Sequence, residues 1–372
     1  MRVQRHLRRT GLRMAVAGLL AGPLALWAQP ADPPVQPADW RQANEAVGAF
    51  PRGHADVLKW ERSRAQASAA AEPAAVGPAL PTAEAAVRAA WRLHPDLARP
   101  LARIGESVAS QIAQGRWNEV DPALQRRVDD MDELLEVAAS ARKAWISAVA
   151  AQQRLRPQRE ALEAAETANE LGQRMARVGN WSALQAARVQ RAVTTERMNL
   201  QRTQAAALTA RSALIKELGL AGLVTGVVLP DQLPAVPEQA MPATELQQRA
   251  LAIRGQLPDT QGLRSRWLAP QAIETYGAAH ALARLAQGEQ LATQRFITEE
   301  TLLHYNGMLK SVWDLLAEVR NRAQAEAEAI DAQRDFWLAE ADVQWVLQGG
   351  EPALVLSLGA PGGADAAAGA AH

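Results

Sequence analysis

Histidine, aspartate and glutamate are the side chains of this 372-residue chain that have the chemistry to bind a metal ion or move a proton. Two histidines that share a metal on one helix face stand three or four residues apart, and no pair here has that spacing. His54 and Asp56 are close in sequence, but a role in anchoring a loop is the simpler interpretation. We therefore predict no metal site and no cofactor. The six histidines are His6, His54, His94, His280, His304 and His372.

The sequence motifs of common catalytic sites are also missing. The chain has no Walker loop, no GxSxG elbow, no GxGxxG after a strand and no HExxH. It contains no cysteine, which excludes disulfides, thiolate metal ligands and lipidation on cysteine. The sequence therefore predicts a protein that is not an enzyme.

Overall composition narrows the class of protein further. Lysine and arginine together balance aspartate and glutamate, so no basic excess points to nucleic acid and we predict none as a partner. Only 4% of the residues are aromatic, and alanine, leucine, arginine, glutamine and glutamate dominate the rest. That composition favours long helices over a sheet-based core.

The amino terminus has the pattern of an export signal. Five arginines precede residue 14, and an apolar run then ends at Ala28. We predict a signal peptide over residues 1–28, cleaved after Ala28. A membrane anchor is the alternative, but the run is shorter than the roughly 20 residues a spanning helix needs. The pair Arg8 and Arg9 leaves Sec and Tat export both open. An exported chain without cysteine indicates the periplasm.

Two segments near the termini have the composition of spacers. Residues 29–81 are rich in proline and alanine around a small island at 39–62, which we expect to fold against something larger. Residues 351–372 form a low-complexity tail.

Between these spacers the sequence predicts two helical repeats, over residues 82–219 and 244–350, with an irregular linker at 220–243. Each repeat contains a long alanine-rich helical run with one central turn. The turns are RVGNWS at 177–182 and YNGMLKS at 305–311. After each turn about forty residues precede the next helix-ending glycine, which at ~1.5 Å per residue gives an arm about 60 Å long.

The apolar spacing within the first run predicts a coiled-coil hairpin. Small residues such as Ala161, Ala164 and Val178 alternate spacings of three and four, and Ala186 and Val193 continue the pattern after the turn. Two such narrow seams can face each other closely in an antiparallel hairpin. The fold class is therefore all-α, with two pseudo-repeats of long antiparallel helical hairpins and little or no β-structure.

Several local features follow from capping and breaking residues. Thr82 is a predicted N-cap, and the helix after it pauses at His94 before running on to Trp117. Pro157 predicts a kink or break near Arg156. In the second repeat a helix is predicted from Thr244 to Ile253, and the hairpin from about Trp267. Only residues 223–229 have the composition of a strand. Four tryptophans are predicted to fill helix packing and helix ends, namely Trp145, Trp313, Trp337 and Trp345.

The order of several segments resembles the TolC-like outer membrane factors, also called outer membrane efflux proteins. The segments are ARKAWISAV at 141–149, RMARVGNWSALQAARVQ at 174–190, LPDQLPAVP at 229–237, ITEETLLHYNGMLKSVWDLLAEVR at 297–320 and FWLAEADVQWVLQGG at 336–350, together with LGL at 218–220. The resemblance covers most of residues 39–350. It is greatest to the branch that serves heavy-metal and copper export.

This resemblance implies partners and a binding site. Such proteins form trimers whose hairpin turns meet a periplasmic adaptor, or membrane fusion protein, which connects them to an inner-membrane pump. The turn residues implied here are Arg177, Gly179 and Ser182 in the first repeat, and Tyr305, Gly307, Met308 and Ser311 in the second. Glycine permits a sharp reversal, and short polar side chains can pair backbone groups there. The alternative is that these residues only make the turns that every helical hairpin needs.

One departure from the family is large. Each repeat of a TolC-like protein carries a β-hairpin that enters the outer membrane, with strands of alternating apolar and polar residues. Residues 115–130 and 257–271 occupy those two positions here, and both segments are short, charged and without alternation. We expect a chain of this kind not to close a membrane pore by itself.

Three functions remain open from the sequence. The first is a TolC-like component of a tripartite, RND-type efflux system that provides a periplasmic helical duct or an adaptor-docking surface, with metal export favoured by the resemblance. The second is a non-transporting periplasmic coiled-coil scaffold or regulator. The third is an integral outer-membrane duct. The predicted location is the periplasm or the periplasmic face of the outer membrane.

Overall fold

The computed structural model describes residues 77–352, and every structural statement below refers to that range. The predicted signal peptide, the island at 39–62, and all but the ends of the two spacer segments lie outside the described residues.

The first repeat consists of six α-helices. Two short 3₁₀ turns, Pro95–Leu97 and Trp117–Glu119, lie between the early helices. The α-helices are α1 Ala83–Arg92, α2 Ala98–Ala113, α3 Leu124–Arg127, α4 Met131–Gln153, α5 Leu155–Arg177 and α6 Ala183–Glu217.

The second repeat has four α-helices and a π-helical segment, Leu285–Gln290, inside its descending arm. The α-helices are α7 Ala243–Arg254, α8 Asp259–Arg284, α9 Leu291–Asn306 and α10 Val312–Leu347. At about 1.5 Å per residue, α6 and α10 are each a little over 50 Å long, close to the predicted arm length. None of the described helices is long and apolar enough to span a membrane.

The all-α prediction is confirmed for the part of the chain that the structure describes. Residues 77–352 contain no named strand. The only extended pairing among them is a parallel bridge between Ala79 and Val228, in which the Leu80 N–H donates to the Val228 carbonyl at 2.8 Å. Residues 223–229 therefore pair at one point and do not form the short strand that their composition allows.

Helix α1 begins and α2 ends for identifiable reasons. The Thr82 hydroxyl accepts a hydrogen bond from the Ala85 N–H at 3.2 Å, which confirms the predicted N-cap. The prediction that the next helix reaches Trp117 is wrong, because α2 ends at Ala113. Gly115 has a φ of +82°, and the Arg142 guanidinium lies 2.6 Å from where a side-chain Cβ would stand. Glycine at this position therefore gives both the left-handed backbone and the room for an arginine from α4.

The descending arm of the first hairpin is interrupted at Arg154, between α4 and α5. Pro157 lies in the first turn of α5 and has no N–H to donate to the preceding turn. The predicted break near Arg156 is thus present two residues earlier. Arg154 keeps helical backbone angles, so the arm continues in the same direction there without reversing.

The second descending arm begins earlier than expected. Helix α8 starts at Asp259 rather than near Trp267, and it contains Pro270 in its interior. The predicted helix before it is confirmed to within a residue at each end, as α7. Because Pro270 is exposed, water can solvate the carbonyl group that loses its donor.

Helix α10 is the central element of the described structure and packs against α4, α5, α8 and α9. Its buried alanines alternate, at Ala323, Ala325, Ala327 and Ala329, so small side chains lie on two faces of one helix. Two neighbouring helices can approach such a helix closely from different sides. Within the first hairpin the predicted seam residues Ala161, Ala164, Ala186 and Val193 are buried, whereas Val178 is exposed because it lies beyond the end of α5.

The linker between the repeats is fixed to the helices by tryptophan and glutamine side chains. Trp337 Nε1 donates to the Pro234 carbonyl at 2.9 Å, and Gln333 Nε2 donates to the same oxygen at 2.6 Å. Trp145 Nε1 donates to the Leu80 carbonyl at 2.9 Å. Trp145 is 2% exposed in the core and Trp337 packs partly buried against that core, which confirms the predicted packing role at both positions.

Candidate functional site: the paired hairpin turns

The first hairpin turn ends α5 with a Schellman motif. The Asn180 N–H donates to the Met175 carbonyl at 2.9 Å, and the Gly179 N–H donates to the Ala176 carbonyl at 3.1 Å. Gly179 has a φ of +79°, as the left-handed position of this motif requires. Here the predicted role of glycine in reversing the chain is confirmed.

The second turn has the same motif, but its left-handed residue is not glycine. The Leu309 N–H donates to the His304 carbonyl at 2.8 Å, and the Met308 N–H donates to the Tyr305 carbonyl at 3.0 Å. Met308 has a φ of +59°, whereas Gly307 has an ordinary φ of −81°. The predicted backbone role of Gly307 is therefore wrong, because α9 continues one residue farther before it reverses.

Each turn is followed by a serine that caps the ascending helix. Ser182 Oγ accepts from the Gln185 N–H at 3.3 Å, and Gln185 Oε1 accepts from the Ser182 N–H at 2.9 Å. Ser311 makes the same reciprocal pair with Asp314, at 3.2 and 2.9 Å. These capping boxes satisfy backbone donors that the first helical turn leaves unpaired. Both predicted serines thus have a structural role.

The second capping box carries a charge that the first lacks. The Ser311 hydroxyl, and then its backbone N–H, donate hydrogen bonds to the Asp314 carboxylate and hold the pKa of that group below its ordinary value. A negative charge at a helix N-terminus also interacts favourably with the helix dipole. Gln185 has no charge at the equivalent position of the first turn.

A tryptophan pair joins the two turns. The rings of Trp181 and Trp313 stack with their centroids 4.4 Å apart and their planes tilted by 32°. Gly172 of α5 makes room for this contact, because a Cβ there would lie 2.8 Å from both the Trp181 ring and the Val189 side chain. The two hairpins therefore present their turns side by side at one end of the bundle.

The surface around the turns is apolar and exposed. In the second turn the side chains of Met308 and Leu309 are 93% and 75% exposed, and Leu303 of α9 is 61% exposed. In the first turn Val178 is 70% and Leu184 63% exposed. Large apolar side chains gathered in this way mark an interaction surface more often than isolated ones do. The predicted residues Arg177 and Tyr305 lie on the same exposed end.

Below the turns, charged side chains connect the first hairpin to α10. Glu196 of α6 is 8% exposed, and its carboxylate accepts from Arg320 at 2.7 Å and from Gln158 at 3.1 Å. Arg322 donates to Glu160 at 3.1 Å, and Arg156 pairs with Glu326. Glu196 is buried, so loss of Arg320 would leave its charge uncompensated, and this contact favours one register of the hairpins. The pairs of Glu160 and Glu326 involve more exposed arginines and contribute less.

The described residues offer little for metal or proton-transfer chemistry. Within residues 77–352 no group of three or more histidine, aspartate and glutamate side chains is placed to hold a metal ion. His280 lies 2.9 Å through Nε2 from the Pro237 carbonyl and packs edge-on against Phe336. That histidine therefore anchors the linker. The arrangement at the turns is suited to binding another surface.

The structure brings the two predicted sets of turn residues together at one end of the bundle. Sequence reasoning missed Trp181 and Leu309, although both lie inside the turn sequences themselves. An aromatic residue immediately before a capping serine was the available signal for Trp181. The stacking partner of Trp181 is distant in sequence, so local patterns do not reveal it.

Comparison with known proteins yields structural similarities only. No protein-family model and no curated protein matches the sequence. Among solved structures, the chain is similar to the Campylobacter jejuni CmeC outer membrane channel, with 10% identity over 66% of this chain and 68% of that one and a TM-score of 0.48. It is similar to CusC, from a study of folding and transmembrane channel formation, with 11% identity, coverages of 72% and 92%, and a TM-score of 0.45. It is also similar to the open Neisseria gonorrhoeae MtrE outer membrane channel, with 15% identity, coverages of 66% and 71%, and a TM-score of 0.38.

Proposed function

We propose that this chain is a TolC-like component of a tripartite, RND-type efflux system. In this proposal it provides a periplasmic helical duct or docking surface, and its paired turns bind a periplasmic adaptor that is connected to an inner-membrane pump. Heavy metals are the substrate class that the sequence resemblance favours. The chain performs no chemical step.

The geometry of the two turns is the observation that supports this function best. Both turns use one backbone motif, the Trp181–Trp313 stack fixes their relative position, and Met308 and Leu309 are directed to solvent beside them. A rigid end with exposed apolar side chains loses little conformational entropy when another helical hairpin meets it end to end. Docking at the turns explains why such side chains remain exposed.

Exposed apolar residues along α6 support the proposal of a homo-oligomer. Met198 and Leu208 of α6 are 50% and 65% exposed. A neighbouring copy that packed its own helices there would bury them, as the trimer implied by the sequence resemblance requires. Small seam residues allow such close packing but do not fix the number of chains.

Charge substitutions at the turn test adaptor binding directly. Met308→Asp together with Leu309→Asp places two charges on the proposed docking surface, and we expect at least a tenfold loss of adaptor co-purification because the apolar contact is removed. Leu223→Asp is the matched control, since Leu223 is 71% exposed in the linker, away from the turns. The adaptor to test is any periplasmic adaptor encoded beside the gene. A monomeric wild-type chain that captures no such adaptor would overturn the proposal.

The second candidate is a non-transporting periplasmic scaffold or regulator. The conformation of residues 115–130 and 257–271 favours it, because these segments form 3₁₀ and α-helix where a TolC-like channel has membrane strands. Gene deletion separates the candidates. Unchanged metal and drug tolerance in the deleted host, together with retained adaptor binding by the purified chain, would support the scaffold and contradict the duct.

A further inference from the structure

We propose that a surface on α7 and α8, at the end of the described helical bundle far from the turns, binds a membrane that contains anionic lipid. This Trp267 surface consists of Leu251 and Arg254 on α7 and Leu263, Arg266 and Trp267 on α8. The proposal concerns a different site from the turns. Only the direction in which the surface points rests on the proposed function.

The apolar part of the surface is unusually exposed. The side chains of Trp267, Leu251 and Leu263 are 80%, 62% and 59% exposed. Leu263 and Trp267 are four residues apart on α8 and therefore lie on one helix face. Leaving an exposed tryptophan beside two exposed leucines costs solubility, so a covering partner is the natural explanation.

A groove between the two helices connects the apolar residues to arginine. Leu251 and Arg254 of α7 line a cavity of about 280 Å³ together with Arg266 and Pro270 of α8. The helices are close at their connected ends, where a Cβ on Gly262 would lie 3.1 Å from the Arg254 carbonyl oxygen. Pro270 lies one turn beyond Trp267, so the groove continues onto the face that carries Trp267.

The charge of the surface identifies its partner. In residues 77–352 neither Arg254 nor Arg266 has a carboxylate within 4 Å. On the same two helices Glu245 pairs with Arg249 at 2.6 Å, and Asp259 is fully exposed and lies 4.0 Å from Arg126. Arginine beside tryptophan and leucine suits the membrane interface, where guanidinium groups meet lipid phosphates and amphipathic rings lie at headgroup level.

The position of the surface agrees with a membrane partner. Trp267 and the second turn are separated by the rest of α8, the π-helical segment and α9, which extend about 60 Å at 1.5 Å per residue. If the turns meet an adaptor in the periplasm, the opposite end faces the outer membrane. A membrane contact at that end would fix the orientation of the helical bundle between the adaptor and the outer membrane.

A fluorophore at position 263 tests the contact. The chain has no cysteine, so Leu263→Cys gives a single labelling site for an environment-sensitive dye on the otherwise unaltered full chain. With vesicles of phosphatidylethanolamine and phosphatidylglycerol we expect the emission to rise and shift to shorter wavelength. Phe296→Cys is the matched control, because Phe296 is 62% exposed on α9, away from the Trp267 surface, and its dye should not respond.

Charge variants then measure the electrostatic part. Arg254→Gln and Arg266→Gln should each lower partitioning into the anionic vesicles by about fivefold, because each arginine near an anionic surface contributes an interaction of that size. Arg191→Gln, an exposed arginine on α6, controls for net charge and should change little. Added salt should weaken wild-type binding, and the two surface variants should depend less on salt.

Several results would overturn the proposal. An unresponsive dye at position 263, or an equal response at position 296, would exclude a specific membrane contact. A response that grows with protein concentration in the absence of vesicles would show that a second copy covers the surface instead. The adaptor experiment is independent, because it needs no vesicles. Suppose that the wild-type chain captures no adaptor, but the Met308→Asp, Leu309→Asp variant still binds vesicles. That result would support the Trp267 surface and contradict the proposed function.

Discussion

The two hairpin turns share one backbone motif but differ in the residue that occupies its left-handed position. In the first turn that residue is Gly179, which adopts a positive φ at no steric cost. In the second it is Met308, for which the same conformation costs on the order of 1 kcal/mol. The second turn therefore carries strain that a glycine would remove.

The difference indicates that the second turn is shaped for contact as well as for reversal. Met308 is 93% exposed, so its side chain contributes almost nothing to packing within the described structure. The left-handed backbone directs it and Leu309 away from the helices. Strain that persists beside exposed apolar side chains is typical of binding sites.

The largest effect in this comparison is expected from the tryptophan pair that links the turns. Trp181→Ala should lower the free energy of unfolding by about 2 kcal/mol, because the ring is half-buried against Trp313 and Gly172. A double-mutant cycle with Trp313→Ala, followed by urea unfolding, should give a coupling of about 1 kcal/mol. Strictly additive losses would show that the stack does not hold the turns together.

Substitution of the left-handed residues should have opposite signs in the two turns. Gly179→Ala should destabilise by about 1 kcal/mol, since alanine is strained at positive φ. Met308→Gly should stabilise by somewhat less than 1 kcal/mol, because the relief of strain is partly offset by the flexibility of glycine in the unfolded chain. Thermal unfolding measures both changes. A destabilised Met308→Gly variant would contradict the assignment of strain to that residue.

The capping serines should behave alike. Ser182→Ala and Ser311→Ala each remove an acceptor for a backbone donor at the start of an ascending helix, and each should cost about 1 kcal/mol. Glycine at the same positions should destabilise the protein by only roughly a few tenths of a kcal/mol, because glycine is tolerated at an N-cap. Chemical unfolding of the four variants provides the comparison. A large difference between the serines would mean that the turns are not equivalent in capping.

The smallest effect concerns pH and should be confined to the second turn. The pKa of Asp314 is held below its ordinary value of 3.8, so its contribution to stability is present above that value and is lost as the pH falls through the lowered pKa. The difference in melting temperature between wild type and Asp314→Asn should therefore shrink as the solution is acidified below 3.8. The Gln185→Ala variant of the first turn should show no such change. A pH-independent difference at Asp314 would contradict the charged capping box.

Local patterns in the sequence were sufficient to predict most of the helical framework. The all-α class, the Thr82 cap, both long hairpins and the break near Pro157 depend on spacing and on residues that cap or break helices, which act over short distances. The small seam residues were also identified, because burial of a helix face repeats every three or four residues. These features need no knowledge of distant contacts.

The errors arose where distant contacts or competing residues decide the conformation. In YNGMLKS the glycine suggested the point of reversal, but Gly307 is the C-cap of α9 with an ordinary φ, and the left-handed position of the Schellman motif falls on Met308. At the end of α2, Arg142 fills the space beside Gly115, and this arginine comes from a different helix, α4. The pairing of Trp181 with Trp313 likewise joins residues from different repeats. The docking role of the turns stays a prediction.

The π-helical segment Leu285–Gln290 has a consequence for how this chain tolerates changes in length. Buried positions on the descending arm are three residues apart from Ala283 to Ala286 and then five apart to Leu291. The π-helical segment thus adds one residue to the spacing between inward-facing positions, relative to an α-helix. Deleting Gly288, which has open space around it, would convert the arm to an uninterrupted α-helix and keep Leu291 facing inward. One residue is expendable here, whereas the same deletion in the middle of α10 would turn half of its buried alanines to solvent.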